Sequence, residues 1–291
     1  MERRISGTTT LYGLIGSPVG HSGSPAMYNY SFQRLGIDSA YLAWDIKEDQ
    51  VADFIKAVKT LDIKGFNITM PCKTETAKLV DELSSAAQVI GAVNTVVVED
   101  GKLTGHITDG VGFIRNLEDH GVTIKDKKVV LLGGGGAGTA IFVQSVLDGA
   151  KEVIIFNRKS KNYYKLQTIG QQLQELAPAC KTEVCDLEDE SLLYDTIRES
   201  DILINCTNVG MAPREEETLI HDMSVYREDL VVAEIIYNPK ETKMMKDAKA
   251  AGVKKIVGGK GMLLWQGVEA FKLYTGQDMP VEEVKKLFFA E

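Results

Sequence analysis

Short apolar runs recur through the second half of the chain at 129–132, 153–156, 183–185, 202–205, 231–236 and 255–257, with helix-length stretches between them. That alternation predicts a parallel, doubly wound sheet whose crossovers are right-handed. The first hundred or so residues form a separate pattern. Runs at 11–16, 41–46, 65–70 and 93–98 read as strands, and 103–107 is placed to pair with the last of them across Asp100-Gly101. Helices are predicted from Ser24 to about Leu35, then over 50–61, 74–83, 84–90 and 111–120. Ser24 followed by Pro25 reads as a helix start, with serine at the cap and proline at the first position. Two helices close the chain, 262–274 and 281–290, after the strand count of the second half is complete. The fold class is therefore α/β with two domains. One spans 1–112 and is completed by 262–291; the other, 113–261, is a Rossmann-type parallel sheet.

The run at 129–132 leads into Gly133-Gly134-Gly135-Gly136-Ala137-Gly138 and then into helix-spaced residues at 139–147. Gly133, Gly135 and Gly138 fit the G-x-G-x-x-G template in the strand-turn-helix setting that template needs. The first glycine allows the tight turn, the second lets backbone approach a pyrophosphate, and the third lets helix and strand pack closely. Open amides at the helix start then face an anion. A glycine cluster also occurs as a plain loop, so the next strand matters. It ends in Asn157-Arg158-Lys159, where an acidic residue would pair with the ribose of NAD. The cationic Arg158 and Lys159 lean towards the 2′-phosphate of NADP. NAD stays admissible, since backbone and Asn157 can still contact the ribose.

Composition narrows the class. The apolar and charged fractions are those of a soluble globular protein, and no apolar run approaches the length of a membrane span. The N-terminal Met1-Glu2-Arg3-Arg4 lacks the apolar core of a signal peptide, so a cytoplasmic location is expected. The net charge of −8 argues against nucleic acid as a partner. Four cysteines form no C-x-x-C pair and four histidines are scattered, so no metal site is indicated.

The polar candidates of the first half are Ser22, Ser24, Thr69, Lys73, Asn94 and Asp109, at strand ends and on loops where sites tend to lie. Each has a plain reading. Ser22 can be an ordinary loop residue, Ser24 and Asp109 can be helix caps, and a lysine such as Lys73 is usually solvated. Asn94 is harder to dismiss, because it stands in an apolar run and a buried amide needs partners.

An ordered set of motifs through nearly the whole chain resembles the shikimate dehydrogenase family. It comprises Gly16-Ser17-Pro18 with His21 to Pro25, Asn67 to Lys73, Gly91 to Thr95, and Thr108-Asp109-Gly110. It continues with the 133–138 loop and Asn157-Arg158, then Tyr237-Asn238-Pro239, and Gly261 to Leu264 with Gln266. Tyr237-Asn238-Pro239 and Trp265-Gln266-Gly267 are most similar to the quinate/shikimate branch. The resemblance implies interconversion of 3-dehydroshikimate and shikimate with NADP or NAD, Lys73 and Asp109 being the catalytic pair. It implies that Ser22 and Ser24 bind the substrate carboxylate, that Thr69, Asn94 and Gln266 bond ring hydroxyls, and that Tyr237 lines the site. The cofactor set becomes Gly133, Gly135, Gly136, Ala137, Gly138, Asn157, Arg158, Lys159 and Gly261. Ile107 departs from the pattern, standing where the family usually has asparagine. The alternatives are a quinate dehydrogenase and a non-catalytic sensor of the same small acid; a homodimer is a possible assembly.

Overall fold

The computed structural model describes residues 5–289, and the chain divides into two compact units, 1–108 with 266–291 and 109–265.

The first unit begins with β1 (Thr10–Gly16), α1 (Ser24–Leu35), β2 (Ser39–Asp45), α2 (Val51–Thr60) and β3 (Gly65–Ile68). It continues through α3 (Lys73–Leu79), β4 (Glu82–Leu83), α4 (Ser85–Ile90), β5 (Thr95–Glu99) and β6 (Lys102–His106). Its six-stranded sheet runs in the order β2-β1-β3-β5-β6-β4. β1, β2 and β3 are parallel, as their helical crossovers require, whereas β5 pairs with both neighbours antiparallel. β5 and β6 form the hairpin expected across Asp100-Gly101. Both turn residues have positive φ (50° and 77°), the conformation a two-residue hairpin with native twist demands. One predicted helix is shorter than expected: α3 stops at Leu79, and Glu82-Leu83, expected to be helical, instead pair with β6.

The second unit runs α5 (Asp109–Asp119), β7 (Lys128–Leu132), α6 (Gly136–Leu147), β8 (Glu152–Asn157), α7 (Lys161–Leu176) and β9 (Lys181–Asp186). There follow α8 (Glu190–Arg198), β10 (Ile202–Asn205), β11 (Val231–Glu234), α9 (Lys243–Ala250) and β12 (Lys255–Val257). All six strands are parallel in the order β12-β11-β10-β7-β8-β9. This is the doubly wound arrangement, with its switch point between β7 and β10. The strands read as unbroken apolar runs because both faces are covered: Val129 to Leu132 are fully buried, as are Ile202 to Ile204 to within 1%.

α10 (Lys260–Thr275) carries the chain from the second unit back into the first, and α11 (Val281–Val284) follows. The last predicted helix is shorter than expected, passing into a π-helical turn at Lys285–Phe289, with Ala290 outside the described residues. The returning segment completes an aromatic core. Tyr28 stacks on Tyr41 with centroids 4.3 Å apart, and Phe271 and Tyr274 of α10 pack on Phe32 and Tyr12. The buried phenols are satisfied from the same helix, Tyr28 donating to the Gly267 carbonyl at 3.0 Å and Tyr12 to that of Tyr274 at 3.2 Å.

Candidate functional site

In the first unit the candidates gather at one end of the sheet, where β1 and β3 end and β5 begins. β1 ends at Gly16, whose backbone approaches Thr69 so closely that an added Cβ would lie 2.3 Å from the threonine methyl. Thr69 is fixed by its amide bond to the Ile15 carbonyl (2.8 Å) and leaves its side chain half-buried beyond β3. After Pro71 the chain turns into α3, and Lys73 is its first residue, half-buried rather than solvated. The Lys73 carbonyl accepts the amide of Val93 at 3.1 Å, which ties this turn to the approach of β5.

Ser24 is not the cap of α1. That position belongs to Gly23, no side chain caps the helix, and Ser24 is the first helical residue. The Ser22 hydroxyl accepts the Ser24 amide at 3.2 Å, so the two serines share one turn. Gln266 lies next to Gly267, whose backbone is pressed on α1, where an added Cβ would meet Met27 Cε at 2.4 Å.

Asn94 falls just before β5 and is 3% exposed. Its Oδ1 accepts the Thr108 amide at 2.8 Å, and its Nδ2 donates to the Thr108 hydroxyl at 3.1 Å. Sequence reading missed the rest of this network. Asn67 Nδ2 donates to Thr95 Oγ1 (3.0 Å), and the Tyr41 phenol donates to Asn67 Oδ1 (2.7 Å). The signal was present, for Asn67 and Thr95 are polar residues inside apolar runs. Asn94 thereby holds Thr108, the residue before Asp109, and Ile107 beside it packs as an apolar side chain (7% exposed).

Asp109 opens the second unit as the first residue of α5, not as a residue ahead of that helix. Gly110 beside it lies on α6, where a Cβ would come within 2.4 Å of the Ala140 carbonyl.

The glycine loop divides by role. Gly133 has φ 93°, and a Cβ there would lie 2.5 Å from Thr207 Cγ2. One on Gly138 would lie 2.0 Å from the Gly133 carbonyl oxygen. These two glycines are packing requirements. Gly135 and Gly136 are exposed and a Cβ on either would meet nothing within 4 Å. Gly135 is the N-cap of α6 with no capping side chain, so the first amides of α6 face open space beside Ala137. A pyrophosphate fits there.

Asn157 has a different task from the one expected. Its Oδ1 accepts the Gly134 amide at 3.0 Å and its Nδ2 donates to the Arg158 carbonyl at 2.8 Å, so the carboxamide braces the loop rather than reaching for a ribose. Arg158 is exposed. Lys159 pairs with Asp186 at 3.0 Å, and this ammonium, with the Glu188 amide, holds the Asp186 carboxyl below its usual range. The cationic run is therefore partly neutralised in place. Tyr237 follows β11 and is 54% exposed. Gly261 is at the start of α10, where a Cβ would fall 1.9 Å from Asn116 Oδ1, a steric demand in its own right. Among the described residues, no three His, Cys, Asp or Glu side chains assemble as a metal site.

Comparison with known proteins matches residues 14–96 to the shikimate dehydrogenase substrate binding domain and residues 259–287 to the shikimate 5′-dehydrogenase C-terminal domain. A shikimate dehydrogenase (NADP(+)) of Streptococcus pyogenes serotype M49 is 47% identical over 289 residues, covering 99% of each chain. The crystal structure of shikimate 5-dehydrogenase from Listeria monocytogenes in complex with shikimate and NAD superposes with TM-score 0.94 at 42% identity, over 99% of each chain. A quinate dehydrogenase from Corynebacterium glutamicum in complex with NAD superposes with TM-score 0.84 at 30% identity, over 97% of this chain and 99% of that one.

Proposed function

We propose that this chain, which belongs to the shikimate dehydrogenase family, interconverts 3-dehydroshikimate and shikimate with NADP or NAD. The observation that carries this is identity of 47% sustained over 99% of the chain to a shikimate dehydrogenase (NADP(+)). When bound, the dinucleotide gives or takes the hydride. Gly135, Gly136 and Ala137 would hold its pyrophosphate against the first amides of α6, with Arg158 at the adenosine end.

The remaining chemistry belongs to this chain's own side chains. Reduction of a ketone builds negative charge on oxygen, and the Lys73 ammonium stabilises that charge and delivers the proton. The Asp109 carboxylate favours the charged lysine and orients the hydroxyl beside the carbonyl. Ser22 and Ser24 would take the substrate carboxylate. Thr69, Asn94 and Gln266 would bond the ring hydroxyls, which selects against analogues lacking them, and Tyr237 would line the site. Support for Asn94 and Thr69 comes from their fixed positions at one end of the sheet. The first unit is thus proposed as the substrate domain and the second as the dinucleotide domain. Gly261 is placed at the dinucleotide side of α10.

A quinate-oxidising activity is the second reading, favoured by the likeness to the quinate dehydrogenase. Initial rates of dinucleotide reduction, with shikimate and quinate each tested against NAD and NADP, separate the two. Fast turnover of shikimate is expected; quinate preferred with NAD would move the chain to the second reading, and turnover of neither would remove both. A cytoplasmic location is supported by four buried, unpaired cysteines, which suit a reducing compartment. A homodimer is supported by the open edge strand β2, where Leu42 is 49% exposed, and a monomeric mass at sedimentation equilibrium would remove it.

A further inference from the structure

Among the described residues, Glu234 is the charged residue with no exposure at all. It ends β11, opposite Asn205 at the end of β10. Asn205 Nδ2 donates to both of its carboxylate oxygens, at 3.1 and 3.0 Å, and the Thr242 hydroxyl donates to Oε1 at 2.7 Å. The other end of the same carboxamide faces the glycine loop. Asn205 Oδ1 accepts the Thr207 amide (3.0 Å) and hydroxyl (2.7 Å), and Thr207 Oγ1 in turn accepts the Val209 amide at 3.1 Å. Thr207 Cγ2 then lies against Gly133, within 2.5 Å of where a Cβ would stand. Cys206 Cβ closes on Gly138 in the same way, 3.0 Å from its missing Cβ. The turn after β10 is thus the wall on which the first and last glycines of the loop rest.

We propose that Glu234 is a positioning residue for the dinucleotide loop, acting through Asn205 and Thr207. The proposal rests on the reading that this loop seats the dinucleotide. An ionised carboxylate has acceptors only, so only the Nδ2 end of Asn205 can face it, and Oδ1 is left to hold Thr207. A neutral carboxyl carries one donor and one acceptor. It also accepts the carboxamide turned round, and then the Thr207 amide and hydroxyl lose their acceptor. The loop wall is therefore firm when Glu234 is charged and loose when it is neutral.

Burial pushes the Glu234 carboxyl up to about 7, against the hydrogen bonds from Thr242, Asn205 and the Ile236 amide. The titratable neighbours are Cys206 on β10 and Tyr226. Burial pushes both up, helped at Cys206 by the Glu234 charge and at Tyr226 by Asp247 and Glu234, so both stay neutral over this range. On α9, Lys243 and Asp247 pair with each other, and Lys246 and Lys249 are exposed. On β12, Lys255 lies beside Val231 at the other end of β11 and donates to the His120 carbonyl.

The test is the KM for dinucleotide across about pH 6 to 8, in the wild type, Glu234→Gln, Thr242→Val and Gly133→Ala. In the wild type it should fall about fivefold as pH rises, the scale of one hydrogen bond, with kcat at saturating dinucleotide changing less. Glu234→Gln should hold the high, low-pH value throughout. Thr242→Val removes one donor to the charge and should move the midpoint to higher pH. A folded Glu234→Gln with the wild-type KM and pH profile overturns the proposal. If that variant does not fold, an unmoved midpoint in Thr242→Val overturns it instead. Gly133→Ala separates the two claims: a normal KM there removes the loop from the cofactor site, whereas a raised one beside an unaffected Glu234→Gln removes only Glu234.

Discussion

The amide of Gly134 donates to Asn157 Oδ1 at 3.0 Å, so the residue that ends β8 braces the loop that leaves β7. Asn157→Ala leaves that buried amide without its partner and loosens the loop as a whole. The KM should rise about fivefold to tenfold, the cost of one lost hydrogen bond, and equally for NAD and NADP. A rise confined to one cofactor would mean that Asn157 reads the ribose after all.

Arg158 should behave differently. Arg158→Ala should raise the KM for NADP by about ten- to a hundredfold, the range of a bond to a charged group, and leave that for NAD nearly unchanged. Asp186 is the counterweight. It engages Lys159 at 3.0 Å, so Asp186→Asn frees that ammonium and should shift preference towards NADP, by a margin that shrinks with added salt. An unchanged ratio of the two kcat/KM values in Asp186→Asn would show that Lys159 does not reach the 2′ end.

Lys73 sets the rate. Lys73→Ala should lower kcat by about a hundred- to ten-thousandfold, the usual worth of a positioned proton donor, with dinucleotide binding retained and the far-ultraviolet circular dichroism unaltered. Asp109→Asn should lower kcat too, with the pH dependence of the remaining turnover displaced. Near-normal turnover in Lys73→Ala would remove Lys73 from the mechanism.

Glu234 predicts a pH dependence of stability opposite in sign to its effect on the dinucleotide. Its carboxyl rises from 4.5 to about 7 on folding, so between those values the native chain keeps a proton that the unfolded chain has lost. Stability from this group is present in full below the lower value and is lost as pH rises through the higher one. The loss is about 3 kcal/mol, from 1.36 kcal/mol for each unit of displacement. Urea denaturation of wild type and Glu234→Gln at about pH 5 and about pH 8 should show the wild type losing ground relative to the variant by that order. A constant difference would mean that the carboxylate is not penalised by its burial.

The frame of the molecule was legible because strand and helix periods in an α/β chain are set locally. Apolar runs covered on both faces and the glycine template each leave a mark within a few residues. The polar networks left only half a mark. Asn67, Thr95, Asn205 and Glu234 all stand out as polar residues in apolar runs, yet their partners lie tens of residues away and are fixed by which strands become neighbours. Asn205 meets Glu234 only because β10 lies beside β11. Ser24 and Asp109 failed in a different way. Each was placed one step off its helix start, because whether a polar residue caps a helix or begins it depends on backbone angles that residue type does not determine.

The first unit is interrupted in the chain, whereas the second is an unbroken block. Phe271 and Tyr274, which finish the core around Tyr28 and Phe32, are therefore made last. During synthesis residues 1–108 leave the ribosome with the place of α10 unfilled, and the block from 109 to 265 can complete its sheet first. Birth order and folding order are thus reversed. The early segment depends on shielding of its bare aromatic surface until the final helix arrives, and a ribosome stalled before residue 266 would release a finished nucleotide-type sheet tethered to an unfinished partner.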